Sequence, residues 1–120
     1  MSLLRSTIGL TTIAVAILFA QSQDQTRAKE AALKKSLLTL RQAIDKFTSD
    51  RHKAPQTLQN LIANGYVDRI PVDPMTGCNT TWLVVLEDPA KSADRDHPGI
   101  FDVHSGSDGV SSDGTRYAEW

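Results

Sequence analysis

From Thr26 onward, apolar residues recur as Leu33, Leu37, Leu40, Ile44 and Phe47, at steps of four, three, four and three. That spacing draws a single stripe along a helix and predicts one buried side. No proline or glycine falls between Gly9 and Pro55. The pattern therefore permits one unbroken helix from Ser6 to about Phe47, roughly 63 Å long at 1.5 Å per residue. Glu30 stands four residues before Lys34, the order that favours an ion pair along a helix.

Ahead of the stripe, Arg5 and Asp24 bracket 18 consecutive uncharged residues, STIGLTTIAVAILFAQSQ. As a helix this run is about 27 Å long, close to the roughly 30 Å of a bilayer's hydrocarbon core. Residues 1–25 read as a membrane segment, and Arg5 places its N-terminus in the cytoplasm by the positive-inside tendency. A cleaved secretory signal ending near Ala20 is the other reading, although Leu18 is large for a small-x-small cleavage site. Both readings put residues 26–120, the domain that follows, in an extracytoplasmic compartment.

Past the long helix the periodicity changes. PQTLQNLIANG, residues 55–65, reads as a short helix with proline near its start, glycine at its stop and Leu58, Leu61 and Ile62 buried. IPVDPMTG, residues 70–77, holds two prolines three apart and reads as a rigid loop. WLVVL at 82–86 and IFDV at 100–103 are strand candidates joined by a polar loop, and RYAEW at 116–120 is a third short strand or a docked tail. The predicted fold is α+β, with a membrane segment continuing into the long helix and that helix packed on a small antiparallel sheet. No repeat of 20 to 50 residues is present.

Net charge is −1 over the 120 residues, but its distribution is uneven. Arg27 to Lys53 carries eight basic and three acidic residues, and Glu87 to Trp120 carries three basic and eight acidic. The molecule is thus two-ended, with a basic helix and an acidic terminal part. Interleaving with apolar residues, and the lack of aromatic stacking residues other than Phe47, argue against nucleic acid as a partner. The single cysteine, Cys78, excludes an intramolecular disulfide framework, and no neighbouring histidine or basic cluster marks it as a nucleophile. His52, His97 and His104 lie in separate polar stretches, and nothing around Ser105 or Ser107 resembles a nucleophile elbow, so the chain reads as a non-enzyme. Trp82 and Trp120 read as core plugs.

The stretch HSGSDGVSSDGT, residues 104–115, repeats Ser-Asp-Gly. One reading is a pair of tight turns, with Asp bonding local backbone and Gly at positive φ. The other is a hard cation, served by the carboxylates of Asp108 and Asp113, the hydroxyls of Ser105, Ser107, Ser111, Ser112 and Thr115, and carbonyls freed by the turns. Zinc suits the donors poorly, and an EF-hand is excluded by the absence of its alternating carboxylates and terminal glutamate.

Taken in order, a membrane run leading into RAKEAALKKSLLTLRQAIDKF, then KAPQTLQNLIANGYVDRIPVDPMTG, a tryptophan strand and FDVHSGSDGVSSDGTRYAEW at the terminus, the chain resembles a known family. It is similar to the G-type major pseudopilins of the bacterial type II secretion system, within the type IV pilin-like superfamily, over about residues 26–120. The resemblance implies a pilin-like fold and a structural subunit. Such subunits polymerise through their N-terminal helices into a periplasmic pseudopilus that supports protein secretion. Implied partners are further copies, other pseudopilins, inner-membrane components of the secretion system and the membrane itself. The implied location is the bacterial inner membrane, crossed once, with the following domain in the periplasm.

The resemblance also implies calcium in the terminal loop, where Asp108 and Asp113 match the family's acidic positions best and Ser105 and Ser112 are weaker matches. The start MSLLRSTIGLTTIAVAILFA departs from the family, which begins with a basic leader and a Phe-Thr-Leu-Ile-Glu type motif. Aligning the helix sets Met1 a few residues inside the family's mature N-terminus. The alternative is a monomeric, calcium-dependent binding module released by signal peptidase, with a mature chain starting at Gln21.

Overall fold

The computed structural model describes residues 2–120, with side chains for residues 14–18 and 20–120. A single helix, α1, runs Ser2–Arg51. Its apolar stripe is buried as the spacing requires: Leu33, Leu37, Leu40, Ile44 and Phe47 are each at most 8% exposed. Burying each such side chain contributes roughly 1.5–3 kcal/mol. The helix outlasts the stripe by one turn. It ends where His52 takes a left-handed φ of 57° and its N–H reaches back 2.8 Å to Thr48 O, an αL stop supplied by histidine in place of glycine.

The second helix, α2, is shorter than its periodicity suggests, covering only Gln59–Ala63. Asn60 Oδ1 accepts the backbone N–H groups of Gln56 and Thr57, both at 3.0 Å, and holds the preceding residues in a turn instead of a helical one. Leu58 and Leu61 are buried as expected, whereas Ile62 is 39% exposed.

Strands β1 (Leu83–Leu86) and β2 (Ile100–His104) form a two-stranded antiparallel sheet. Val85 pairs with Asp102 and Leu86 with Ile100, which leaves Phe101 as an extra residue on β2. β2 lies against α1 through Ile100 and Val103, both buried, and Ile100 N–H donates to Pro55 O at 2.7 Å. The hairpin connection is tied at its base, where Glu87 N–H donates to Gly99 O and Gly99 N–H donates to the Glu87 carboxylate.

No third strand forms at the terminus. Val110 and Arg116 make a single bridge, and Tyr117–Glu119 is a 3-10 turn. The turn brings buried Tyr117 and half-buried Trp120 onto α1, with their rings 5.2 Å apart edge to face. Trp82 is a core plug, 7% exposed, whose indole N–H donates to Pro71 O at 2.8 Å.

The molecule extends 79 × 26 × 19 Å because the N-terminal half of α1 projects beyond the packed part. Every described side chain from Ala14 to Lys29 is exposed. Among the described residues no helix is long and apolar enough to cross a membrane. The expected membrane segment, residues 1–25, includes side chains at 1–13 and 19 that lie outside those described.

Candidate functional site

The acidic terminal loop folds back along α1 and is held by side chains far away in sequence. Glu30, one turn before Leu33, accepts Ser112 N–H and Ser112 Oγ, both at 2.9 Å, and Tyr117 Oη at 2.9 Å. Chiefly the backbone N–H of Ser112 holds the Glu30 carboxyl below the usual carboxylate range, against a desolvation effect that pushes it up. Tyr117 responds in the opposite direction: burial first, and then Glu30, push its phenol above its ordinary value. The helical pair expected between Glu30 and Lys34 does not form. With Glu30 turned to the loop, the Lys34 ammonium sits 4.8 Å from the Trp120 ring centroid instead.

Within the loop, Asp113 Oδ1 accepts from Ser111 Oγ, from Thr115 Oγ1 at 2.6 Å and from Thr115 N–H at 3.1 Å. These bonds, that from Ser111 foremost, hold its carboxyl down at about 2. Gly114 follows at a φ of +87°, where a side chain would be strained. The Ser-Asp-Gly pattern at this position is therefore a tight turn in which hydroxyls solvate the carboxylate.

The other end of the stretch serves a different carboxylate. Asp73, in the proline-rich loop, is fully buried. Its Oδ2 accepts Ser105 Oγ at 2.6 Å and Gly106 N–H at 3.3 Å, and its Oδ1 accepts Met75 N–H at 2.8 Å. Gly106 is required here, since a Cβ would collide with Thr81 O. This knot welds the proline-rich loop to the end of β2.

The expected calcium residues are consequently divided. Ser105 gives its hydroxyl to Asp73 and Ser112 gives its hydroxyl to Glu30, so the two are drawn to different carboxylates. Asp108 is exposed, and Asp113 Oδ2 is engaged by no hydrogen bond among the described residues. Those carboxylate oxygens are what a hard cation would find. Among the described residues no three His, Cys, Asp or Glu side chains cluster as a metal site.

A third cluster lies between α1 and the chain's last residue. Arg41 donates to Asp102 Oδ1 at 2.8 Å, Val103 O at 2.9 Å and Trp120 O at 2.5 Å. His104 Nδ1 lies 2.9 Å from the same Trp120 oxygen. Beside it, Lys34, Leu37, Leu38, Arg41, Asp113 and Trp120 line an open groove of about 520 Å³. Its walls mix one aromatic face with both signs of charge, and it presents no nucleophile and base in hydrogen-bonding contact. Cys78 is exposed, as are His52 and His97.

Sequence reasoning missed Glu30, Asp73 and Arg41 as organisers of this region. The available signal was weak: a lone acid or base flanking an apolar helical stripe, and an Asp between prolines. Compared with protein-family models, with curated proteins and with solved structures, the chain matches none.

Proposed function

We propose that the protein is a structural subunit that assembles through the N-terminal half of α1, as a pseudopilin does in a type II secretion pseudopilus. The observation that carries this reading is the division of α1. Its stripe from Leu33 to Phe47 is covered by the rest of the chain, whereas Val15, Ile17 and Leu18 are 62%, 53% and 66% exposed on a projecting helix. An apolar helix end left uncovered by its own chain needs lipid or neighbouring helices. The basic helix and acidic loop face add complementary surfaces for lateral contact between copies. In this reading the protein is a pilin-like, non-enzymatic component of the bacterial inner membrane, anchored once, with its folded part in the periplasm. Its partners are further copies and other subunits of the secretion assembly.

Calcium is a separable part of the proposal. Asp108 and Asp113 would supply the carboxylates, and the ion would add to a loop already closed by its own hydroxyls. The expected result is a melting temperature of the full chain that rises with calcium and rises less in Asp108→Asn. An unchanged midpoint in excess chelator would remove the ion and leave the assembly reading standing.

The assembly itself is tested with Ile17→Cys in a Cys78→Ser background, in bacterial membranes and with a bifunctional thiol reagent bridging neighbouring helices. Paired with a second cysteine on the opposite side of the helix, Val15→Cys, it is expected to give a ladder of products beyond the dimer. Recovery of monomer alone, with a mature chain beginning at Gln21, would replace this reading by the released binding module.

A further inference from the structure

Where α1 ends, at the opposite end from its projecting half, an open cavity of about 360 Å³ is lined by Phe47, Arg51, Lys53, Gln56, Asn60 and Asn64. It shares no lining residue with the groove beside Trp120. At the lower end of the roughly 300–1,000 Å³ of small-molecule sites, it has room for a single ring and little more.

The cavity holds two cations. Arg51 follows Phe47 by one helical turn, and its guanidinium carbon lies 5.0 Å from the Phe47 ring centroid and 5.9 Å from that of Tyr66. The two rings pack on each other with centroids 5.3 Å apart and give the guanidinium an aromatic floor. A guanidinium carried on rings keeps its N–H fork for an oxyanion. His52, at its left-handed φ of 57°, turns the chain, and Lys53 lines the same cavity. The neighbouring Asp50 is engaged by Tyr66 Oη at 3.0 Å and by Lys46 at 3.8 Å. Among the described residues neither Arg51 nor Lys53 forms an ion pair.

The three amides are each oriented by a bond to the main chain. Asn60 Oδ1 accepts the N–H groups of Gln56 and Thr57, which leaves its Nδ2 as a donor. Asn64 Nδ2 donates to Asn60 O at 2.8 Å and Gln56 Nε2 donates to His97 O at 2.9 Å, which leaves Asn64 Oδ1 and Gln56 Oε1 as acceptors. Basic residues also stabilise a helix C-terminus, which accounts for Arg51 and Lys53 but not for the amides beside them. A ligand that uses the whole lining carries an anionic oxygen for the donors and hydroxyls for the acceptors. The partial negative charge at the end of α1 disfavours a second negative charge here, so a carboxylate suits the site better than a phosphate. We propose that this cavity binds a sugar acid, with its carboxylate on Arg51, Lys53 and Asn60 Nδ2 and its ring hydroxyls donating to Asn64 and Gln56. The site does not depend on assembly through α1.

The test uses the full chain, isotope-labelled at nitrogen, in mild detergent micelles at fixed pH and ionic strength, and follows the side-chain amide signals of Asn60 and Asn64 by NMR. Glucuronate is expected to move both signals along a saturable curve. Glucose, which lacks the charge, and acetate and inorganic phosphate, which lack the ring hydroxyls, should need about tenfold higher concentration or more. Arg51→Gln is expected to weaken the glucuronate response by about the same factor. Asn60→Asp keeps an acceptor for the Gln56 and Thr57 N–H groups while setting a negative charge against the carboxylate, and should abolish the response at Asn64. The comparison of probes on the wild-type chain stands should either variant fail to fold. No saturable shift with glucuronate would overturn the proposal. So would an equal response to acetate or phosphate, which would make the end of α1 a generic basic tip, or a glucuronate response that survives both substitutions.

Discussion

The Glu30 carboxylate on α1 accepts both the N–H and the hydroxyl of Ser112, 82 residues later in the chain, at 2.9 Å each. One side chain thereby fixes the acidic loop to the helix at the point where α1 leaves the packed part of the molecule. Tyr117 joins the same carboxylate from the terminal turn, so the loop cannot lift without breaking three bonds to one residue.

Glu30→Ala is expected to lower unfolding stability by about 1 kcal/mol, the scale of a charge-assisted bond at a partly exposed site, and to speed amide exchange at Ser112. The pH dependence has a definite sign. Because the folded Glu30 carboxyl lies below its unfolded value, the clamp contributes fully above the usual carboxylate range and is lost as pH falls through the lowered folded value. Tyr117, raised in the fold, limits the other end: its contribution is intact below the ordinary phenol range and is lost as pH rises through the raised value. Denaturant midpoints across acid pH should show a slope in the wild type that Glu30→Gln flattens.

Asp113 gives a local test of the loop. Its carboxyl is held at about 2 mainly by the Ser111 hydroxyl and then by Thr115. Ser111→Ala should raise it toward the ordinary value of about 3.9, read directly as a titration of the side-chain carboxyl carbon by NMR. Stability linked to Asp113 is present above the usual carboxylate range and lost as pH falls toward the folded value. That window should narrow in the serine variant.

Asp73 is the most consequential buried polar group. Asp73→Ala would orphan the fully buried Ser105 hydroxyl and the partly buried N–H groups of Gly106 and Met75. The expected loss is about 2–4 kcal/mol by urea denaturation, since the abandoned Ser105 hydroxyl carries a full desolvation cost and the two N–H groups lose charge-assisted bonds. Asp73→Asn, which keeps an acceptor for part of the set, should lose less.

The difference between what was legible and what was not follows from range. Leu33 to Phe47 repeat at helical spacing, so their burial is written locally, and the runs at 82–86 and 100–103 carry the β-branched and aromatic residues that made the sheet readable. Glu30 was legible only as a partner for Lys34, because the sequence offers near neighbours and conceals the loop that outcompetes them. The same blindness shortened α2, where the single Asn60 amide captures Gln56 and Thr57, and left residues 116–120 open between a strand and a docked tail, of which the fold takes the second, a 3-10 turn drawn onto α1 by Tyr117. Ser105 and Ser112 were equivalent hydroxyls in the sequence. Only the fold separates them, one facing Asp73 and the other Glu30.

Arg41 offers the sharpest separation of charge from geometry. Its guanidinium reaches Asp102, Val103 O and Trp120 O together, with Nε on the Asp102 carboxylate and Nη2 shared between the two main-chain oxygens. Lysine keeps the charge but presents a single ammonium on a flexible stem and cannot reproduce that fork. Arg41→Lys should therefore cost about 1–3 kcal/mol. It should also release Trp120 from its place between Lys34 and Tyr117, seen as a red-shifted, more readily quenched tryptophan emission in a Trp82→Phe background. A double-mutant cycle with Asp102→Asn apportions the effect: a small coupling energy assigns the restraint to the two main-chain oxygens, and a large one to the pair with Asp102, whose partners are 34% and 29% exposed and so partly screened. An Arg41→Lys chain with wild-type stability and wild-type emission would show that the fork does not hold the terminus.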